Sequence, residues 1–460
     1  MELGVGGSNP PCCTKIMSKE KNLKPSKDLP LGFVDRQEKE LLIRDFIISN
    51  IKEVMTKYGF QYLETPSFEY TDSIGKFLPD KERPDQGVFS FKDEKKWLSL
   101  RYDLTAPLAR YVAKNYLELP KPFKRYQLGT VWRNEKPGPG RFREFLQLDA
   151  DYVGTKNLQA DAELCVLISE ILEKCGLDKT DYTVKISSRK FTDKLFEKIK
   201  IKSKDQMSTT LRALDKIDRL GWEEAKKLLG EGRKDKSGDY TKGANLKSDQ
   251  IKIIEDALKI KTPDSEDVLE IIKIFQAYNF KNYKFDPSVI RGLEYYTGAI
   301  FEVNLNFEVR NSKGQAIQFG SIGGGGRYDN LVSNFGNFDC PATGISIGLD
   351  RLVFALMQKK DFKIKAVRPV IICVFDKSRA KEYIEILNKL RTSNISSEIY
   401  PGEGKLKKQM EYANKIGSPA VILYGDDEIK TGKATLKNLE TGNESSIKIE
   451  DLANEIKKLL

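Results

Sequence analysis

Between Leu41 and Tyr58 apolar residues recur at helical spacing (Leu41, Leu42, Phe46, Ile47, Ile51, Val54, Met55), which predicts an amphipathic helix that Gly59 ends. "FQYLETP" then reads as a strand stopped by Pro66. Further strand-like runs appear at "WLSLRYD", "FKRYQLGTVWRNE", "FREFLQLDADYVG", "YTVKISS", "AIFEVNLNFEV" and "AIQFGSIGGGG", with a helical interlude over 159–175. Strands follow strands without a helix between each pair, so the pattern predicts an α+β fold on an antiparallel sheet flanked by helices.

The pattern changes twice along the chain. Over 191–283, Leu211, Leu214, Ile217, Leu220, Ile251, Ile254 and Leu258 keep helical spacing, interrupted by the glycine-rich, polar "GEGRKDKSGDYTKGANLKSD". This reads as an inserted helical domain carrying a mobile loop over about 229–250. From Arg368 strands ("VIICVF", "SSEIYP", "AVILYG") alternate with helices, the signature of a separate α/β domain over 368–460 behind a linker near 360–368. The core would then come in two parts, 30–190 and 284–360, behind a tail over 1–29 with no periodicity.

Composition narrows the chemistry. The 460 residues contain no apolar run able to span a bilayer and no secretory-type start, so a cytoplasmic protein without a membrane partner is expected. A net charge of +11 suits a polyanionic partner. The 6 cysteines form no CxxC pair, which argues against a zinc ribbon or a disulfide scaffold. Histidine is absent, and with it imidazole metal sites, Ser-His-Asp or Cys-His catalysis and imidazole proton shuttles. Arginine, lysine, carboxylates, backbone amides or a bound ion must carry any chemistry.

Five stretches offer such groups. "TVWRNEKPGPGRFREF" sets Arg133, Glu135, Arg141 and Arg143 around a Pro/Gly loop, an arrangement able to grip a polyphosphate or to form a solvated hairpin. "SIGGGGRYDNLV" allows close backbone approach to a flat or anionic ligand, or a tight bulge at a strand end. "GISIGLDRL" puts Asp350 and Arg351 at a strand-to-helix junction, where the arginine could meet an anion. In "LRYDLTAPLARY", Asp103 and Thr105 form a polar pair that could bind an ammonium, with a helix N-cap role for Thr105 as the alternative. "RGLEYYTGAIFEV" places Arg291 on a glycine turn ahead of Tyr295 and Tyr296.

Taken in order, "RYDLT", "WRNE…GRFREFLQLDADYVG", "RGLEYYTG", "GGGGRYDNLV" and "GLDRL", followed by an α/β domain, resemble the histidyl-tRNA synthetases, class II aminoacyl-tRNA synthetases, from about Pro30 to the C-terminus. The resemblance implies a homodimeric ligase joining at a helix and a strand that ends at Pro66, with a C-terminal anticodon-binding domain and with ATP, L-histidine and tRNA-His as substrates. It implies Arg133 at the ATP α-phosphate, Glu135 and Arg141 on the ATP side, and Arg351 toward the γ-phosphate and adenine. Arg291 would face the substrate carboxylate and α-phosphate. Asp103, Thr105 and Gln147 would surround the α-amino group, and Asp151, Tyr295, Tyr296 and Tyr328 the imidazole. Mg²⁺ would accompany ATP, with Glu135 as a candidate ligand, and no zinc is expected. The rival is a non-catalytic paralogue that regulates ATP phosphoribosyltransferase, which typically lacks the C-terminal domain and the arginine clamp.

Three segments depart from the family pattern. "PLGFVD" (30–35) replaces the usual Pro-Arg/Lys-Gly-Thr element. "KPGPG" puts Gly138 where most bacterial members have the glutamine of an Arg-Pro-Gln loop, leaving recognition of the extra 5′ guanosine of tRNA-His open. Glu294 stands where aspartate is usual. In addition, Gly7-Ser8-Asn9-Pro10 is what the T-arm of a tRNA gene would encode, and translation from Met17 is expected, with residues 1–16 a mis-assigned start.

Overall fold

The structure, a computed structural model, describes residues 26–75, 87–234, 238–290, 296–311, 313–317, 319–336 and 338–460. Contacts divide the chain into two compact units, one ending at Phe362 and the other spanning Lys363–Leu460. The first is built on an 8-stranded sheet. In chain order its strands are β1 (Gln61–Tyr62), β2 (Phe123–Trp132), β3 (Glu144–Val153), β4 (Tyr182–Ser188), β5 (Tyr283–Phe285), β6 (Ala299–Leu305), β7 (Ser321–Arg327) and β8 (Ala342–Gly348). They lie side by side as β1-β2-β3-β8-β7-β6-β4-β5.

All neighbours from β2 through β4 pair antiparallel. The two edges depart from the sequence expectation, because β1 joins β2 and β5 joins β4 in parallel. The run "AIQFGSIGGGG" also breaks in two: Ala316–Ile317 pairs with Val309–Arg310 in a separate ribbon, and only Ser321–Arg327 enters the sheet.

Alternation along these strands gives the sheet one apolar and one polar face. Leu148, Ala150 and Tyr152 of β3, Phe301 and Val303 of β6 and Ile345 and Ile347 of β8 share the first, all buried. Helices α1 (Glu38–Lys57), α3 (Leu158–Lys174) and α4 (Leu349–Gln358) cover this side. A Cβ on Gly323 would come within 3.0 Å of Ile168 of α3, so the helix lies close on the strand there. Helix α2 (Thr105–Lys114) precedes β2 in the chain.

In the inserted segment, helices such as Lys204–Leu214, Trp222–Leu229 and Ser248–Ala257 gather Leu211, Leu214, Leu228, Leu229 and Ile254 into a core that also takes in Leu195 and Ile290. Where the sequence reading puts a mobile loop, the chain forms a short hairpin, Gly232–Lys234 with Tyr240–Lys242, followed by buried Ala244 and Leu246. Small and apolar residues hidden among the polar ones explain the difference.

In the second unit the strands are β9 (Val370–Ile372), β10 (Ser397–Ile399), β11 (Ala420–Leu423), β12 (Lys433–Asn438) and β13 (Glu444–Lys448), ordered β10-β9-β11-β12-β13. The first three are parallel, and β12 and β13 add an antiparallel hairpin that the sequence reading did not separate.

Candidate active site

The polar face is assembled by register. Arg125, Gln127 and Gly129 of β2 stand opposite Asp151, Asp149 and Gln147 of β3, which in turn stand opposite Gly344, Ser346 and Gly348 of β8. Gly326 and Gly324 of β7 continue the row beside Gly344 and Ser346. Directly paired residues point to one side of a sheet, so a line of carboxylates and amides is bordered by a floor of glycines. That floor is what makes a hollow.

One end of the face holds Asp151. It ion-pairs with fully buried Arg125 (Nη2 to Oδ2, 3.0 Å), accepts a hydrogen bond from the Tyr328 hydroxyl, and faces Gly344, where any Cβ would overlap it. Arg125 also donates to the Leu104 carbonyl at 2.9 Å, tying β2 to the residue before α2. Burial raises the Asp151 carboxyl to about 6 against the lowering pull of Arg125, with Asp149 and Asp103 adding repulsion. Burial likewise lifts the Tyr328 phenol well above its ordinary value, so the tyrosine is the donor of the pair. The ring of Tyr296 stands over Gly326 and would meet a Cβ there at 3.0 Å.

Asp103 and Thr105 sit at the start of α2, and the cap that the sequence reading offered to Thr105 falls to Asp103. Asp103 Oδ1 accepts from the amides of Thr105 (3.1 Å) and Ala106 (2.9 Å), so the aspartate caps the helix. The Thr105 hydroxyl donates instead to Asp149 Oδ2 at 3.1 Å. A carboxylate reaches two amides of the first turn, while the threonine, already inside the helix, has its own amide taken by that cap. Burial raises Asp103 to about 6, with its two backbone bonds and Arg133 opposing and Asp149 reinforcing the rise.

At the other end, Arg133 donates from Nε to the Tyr102 carbonyl (3.0 Å) and from Nη2 to Gln147 Oε1 (3.4 Å), with its guanidinium 5.1 Å from the Phe145 ring centre. Arg351 lies over Gly348, the residue paired with Gln147, so the two arginines flank the same position. Its guanidinium rests on the Phe319 ring, 4.3 Å from the centre, and bonds to the Phe319 carbonyl. Phe319 in turn stacks 5.5 Å from Phe354 and covers Gly140. Asp350 faces away from that cation: it accepts from the Leu146 amide (2.7 Å) and from Arg36 Nε (2.7 Å), anchoring α4 to β3. Arg36 follows the divergent "PLGFVD" segment, whose Gly32 carbonyl accepts from the Arg143 amide at 2.8 Å.

Glu135 and Arg141 lie exposed on the loop between β2 and β3, and their side chains are not drawn into the hollow. That loop closes on itself, with Gly138 and Arg141 exchanging backbone bonds of 3.0 and 2.8 Å. Arg291 and Tyr295 fall outside the described residues, as does Glu294. The structure therefore gathers Asp103, Thr105, Arg133, Gln147, Asp151, Tyr296, Tyr328 and Arg351 along one face. It adds Arg125, Asp149 and Phe319, which sequence reasoning missed. For Asp149 the signal was present: Asp149 and Asp151 stand two apart inside a long strand, which marks a polar face.

A cavity of about 800 Å³, lined in part by Lys156, Lys190, Asp267, Arg327 and Asp329, lies elsewhere and includes none of the expected site residues in its described lining. Arg327 alternates with Gly326 and so points to the opposite side, where it ion-pairs with Asp161 of α3.

Comparison with known proteins gives the chain its relatives. Residues 32–352 match the family described as histidyl-tRNA synthetase, and residues 369–459 match the anticodon binding domain. The chain is 44% identical to the histidine–tRNA ligase of Bartonella quintana (strain Toulouse), over 94% of this chain and 92% of the relative. It is also 44% identical to that of Brucella suis biovar 1 (strain 1330), over 92% and 90%. The crystal structure of histidyl-tRNA synthetase from Nostoc sp. PCC 7120 superposes with a TM-score of 0.72 at 26% identity, covering 95% of this chain and all of that one. A polar sheet face flanked by two arginines, on a chain that matches along nearly its whole length, leads to one conclusion: the chain belongs to the histidyl-tRNA synthetase family.

Proposed function

We propose that the enzyme activates L-histidine with ATP to histidyl-adenylate and transfers the histidyl group to the 3′ end of tRNA-His, with the polar face of the sheet as the site of both steps. The observation that carries this reading is the division of that face. Its carboxylates, Asp103, Asp149 and Asp151, cluster at one end, and Arg133 and Arg351 flank the other. Histidine is an ammonium and an imidazole joined to a carboxylate, and ATP is an anion, so the two substrates sort themselves along such a gradient.

In this reading the imidazole enters beside Asp151, Tyr328 and Tyr296, where the Asp151 carboxylate presents an acceptor for a ring N–H. Buried polar groups reject ligands that leave them unpaired, which supplies selectivity against apolar rings of the same size. The histidine carboxylate then points toward Arg133. Its oxygen attacks the α-phosphorus in line, a C–O–P bond forms, the bond to the bridging oxygen breaks, and pyrophosphate leaves with the electron pair. No proton is transferred, so positioning and fixed positive charge are sufficient. Arg133 is held for this work by Tyr102 and Gln147, and Arg291 is the second cation of the clamp.

Among the described residues no group of three or more Asp, Glu or Cys side chains could enclose a metal ion. This fits Mg²⁺ held mainly by ATP phosphates with one or two protein carboxylates, for which exposed Glu135 is the candidate. When bound, the ion neutralises phosphate charge.

ATP–pyrophosphate exchange measured across the amino acids tests the whole reading. Exchange is expected with histidine alone, and Arg291→Ala or Arg133→Ala should lower it by about 10²-fold or more. Exchange driven by another amino acid would overturn the substrate, and unaltered exchange in Arg291→Ala would remove that residue from the mechanism.

A further inference from the structure

Asp149 has no part in the assignment that the family pattern supplies, yet it stands at the centre of the polar face. It is 1% exposed and lies between Gln147 and Asp151 on the same side of β3. Its Oδ1 accepts from Gln147 Nε2 at 2.6 Å and its Oδ2 from the Thr105 hydroxyl at 3.1 Å.

These two bonds decide more than position. A hydroxyl and a carboxamide are each both donor and acceptor, whereas an ionised carboxylate only accepts. Thr105 has a single proton, and it is committed to Asp149, so the free side of its oxygen offers lone pairs alone. Gln147 turns its amino end to Asp149 and its carbonyl toward Arg133, an orientation fixed by a pure acceptor on one side and a pure donor on the other. Asp149 thereby makes Thr105 an acceptor and sets the way Gln147 faces, and it adds a third carboxylate to Asp103 and Asp151. The group that such a corner recognises is donor-only and cationic, namely an ammonium.

We propose that Asp149 is a positioning and specificity-determining residue for the α-ammonium of the amino-acid substrate, acting by fixing Thr105 as an acceptor and Gln147 in its orientation. The proposal rests on the reading of this face as the histidine site. It is tested with the full-length protein by comparing the binding of L-histidine with that of 3-(imidazol-4-yl)propionate, which lacks only the amino group. Asp149→Asn offers an amide N–H where an acceptor stood. It should weaken histidine binding by about tenfold or more while leaving the des-amino compound and the KM for ATP within about twofold. Thr105→Val, which removes the hydroxyl at constant shape, should lose part of the same preference, and it decides the matter if Asp149→Asn fails to fold. Unchanged preference for histidine in the variants overturns the proposal, as does an equal loss for both compounds and ATP, the mark of a merely structural role. If the unmodified protein itself does not bind histidine, the reading of the site fails instead.

Discussion

A methyl group on residue 344 would overlap Oδ1 of Asp151, the atom that accepts from Tyr328. Gly344→Ala should therefore push Asp151 out of the hollow and raise the KM for histidine by about tenfold or more, with a smaller change for ATP, read in pyrophosphate exchange. The neighbouring carboxylates carry a pH signature. Burial lifts Asp103 from the ordinary 3.8 to about 6 in the fold, so the folded protein binds its proton more tightly than the unfolded chain does. The stability from that proton is fully present below about pH 4 and is lost as pH rises through 6, a contribution on the order of 3 kcal/mol. Asp103→Asn keeps the helix cap and removes the titration. The difference in Tm between about pH 5 and about pH 7.5 should then shrink relative to the parent in ligand-free protein. At this scale Arg133 was singled out as an always-charged residue beside a loop, and the structure places it next to Gln147. The sequence is misleading where two neighbours compete for a job. Asp103 and Thr105 both suit an N-cap, and only the backbone geometry shows that the longer reach of the aspartate wins.

Among elements, the glycine strand was the most ambiguous in sequence. "SIGGGG", part of a strand-like run, was open to close backbone approach to a flat or anionic ligand or to a tight bulge at a strand end, and the structure makes it β7, a central strand whose alternate glycines line the hollow, with a register shift opposite Val303 and Asn304. Four glycines carry no hydrophobic alternation, so the strand-like run could not show where it breaks in two. A different element exposes an apolar face among the described residues. Phe68–Tyr70, Ser90–Asp93 and Lys96–Leu100 form a 3-stranded sheet beyond Pro66. Glu69 points inward to a two-pronged bond with Arg110 of α2 (2.6 and 2.8 Å). Phe68 and Phe91 point outward, 48% and 45% exposed, and pack edge to face at 5.5 Å. If the homodimer that the resemblance implies joins next to Pro66, this surface is its meeting face. Phe68→Asp combined with Phe91→Asp should yield a monomer in sedimentation at concentrations where the parent is a dimer. A parent that sediments as a monomer would refute the assignment.

For the molecule as a whole, the shift in pattern near Arg368 was legible because strand–helix alternation differs from strand-after-strand order. The relation between the inserted helices and the core was less so, since buried Ile290 and Leu195 join the helical cluster from segments that the pattern assigned to its borders. If activation belongs to the first compact unit, a chain ending at Phe362 should retain histidine-dependent pyrophosphate exchange and lose most aminoacylation of tRNA-His. In the intact enzyme, with a net charge of +11, the KM for tRNA should climb steeply with salt while exchange stays nearly level. Loss of exchange on truncation, with the fragment still folded by circular dichroism, would show that the second unit is needed for the first step.

In the proposed reading an imidazole is recognised beside a carboxylate and two tyrosines, and the 460 residues of the chain include not one imidazole of their own. A ribosome translating this message meets no histidine codon. When the cell's pool of charged tRNA-His runs down, synthesis of the enzyme that refills it has no codon at which to stall.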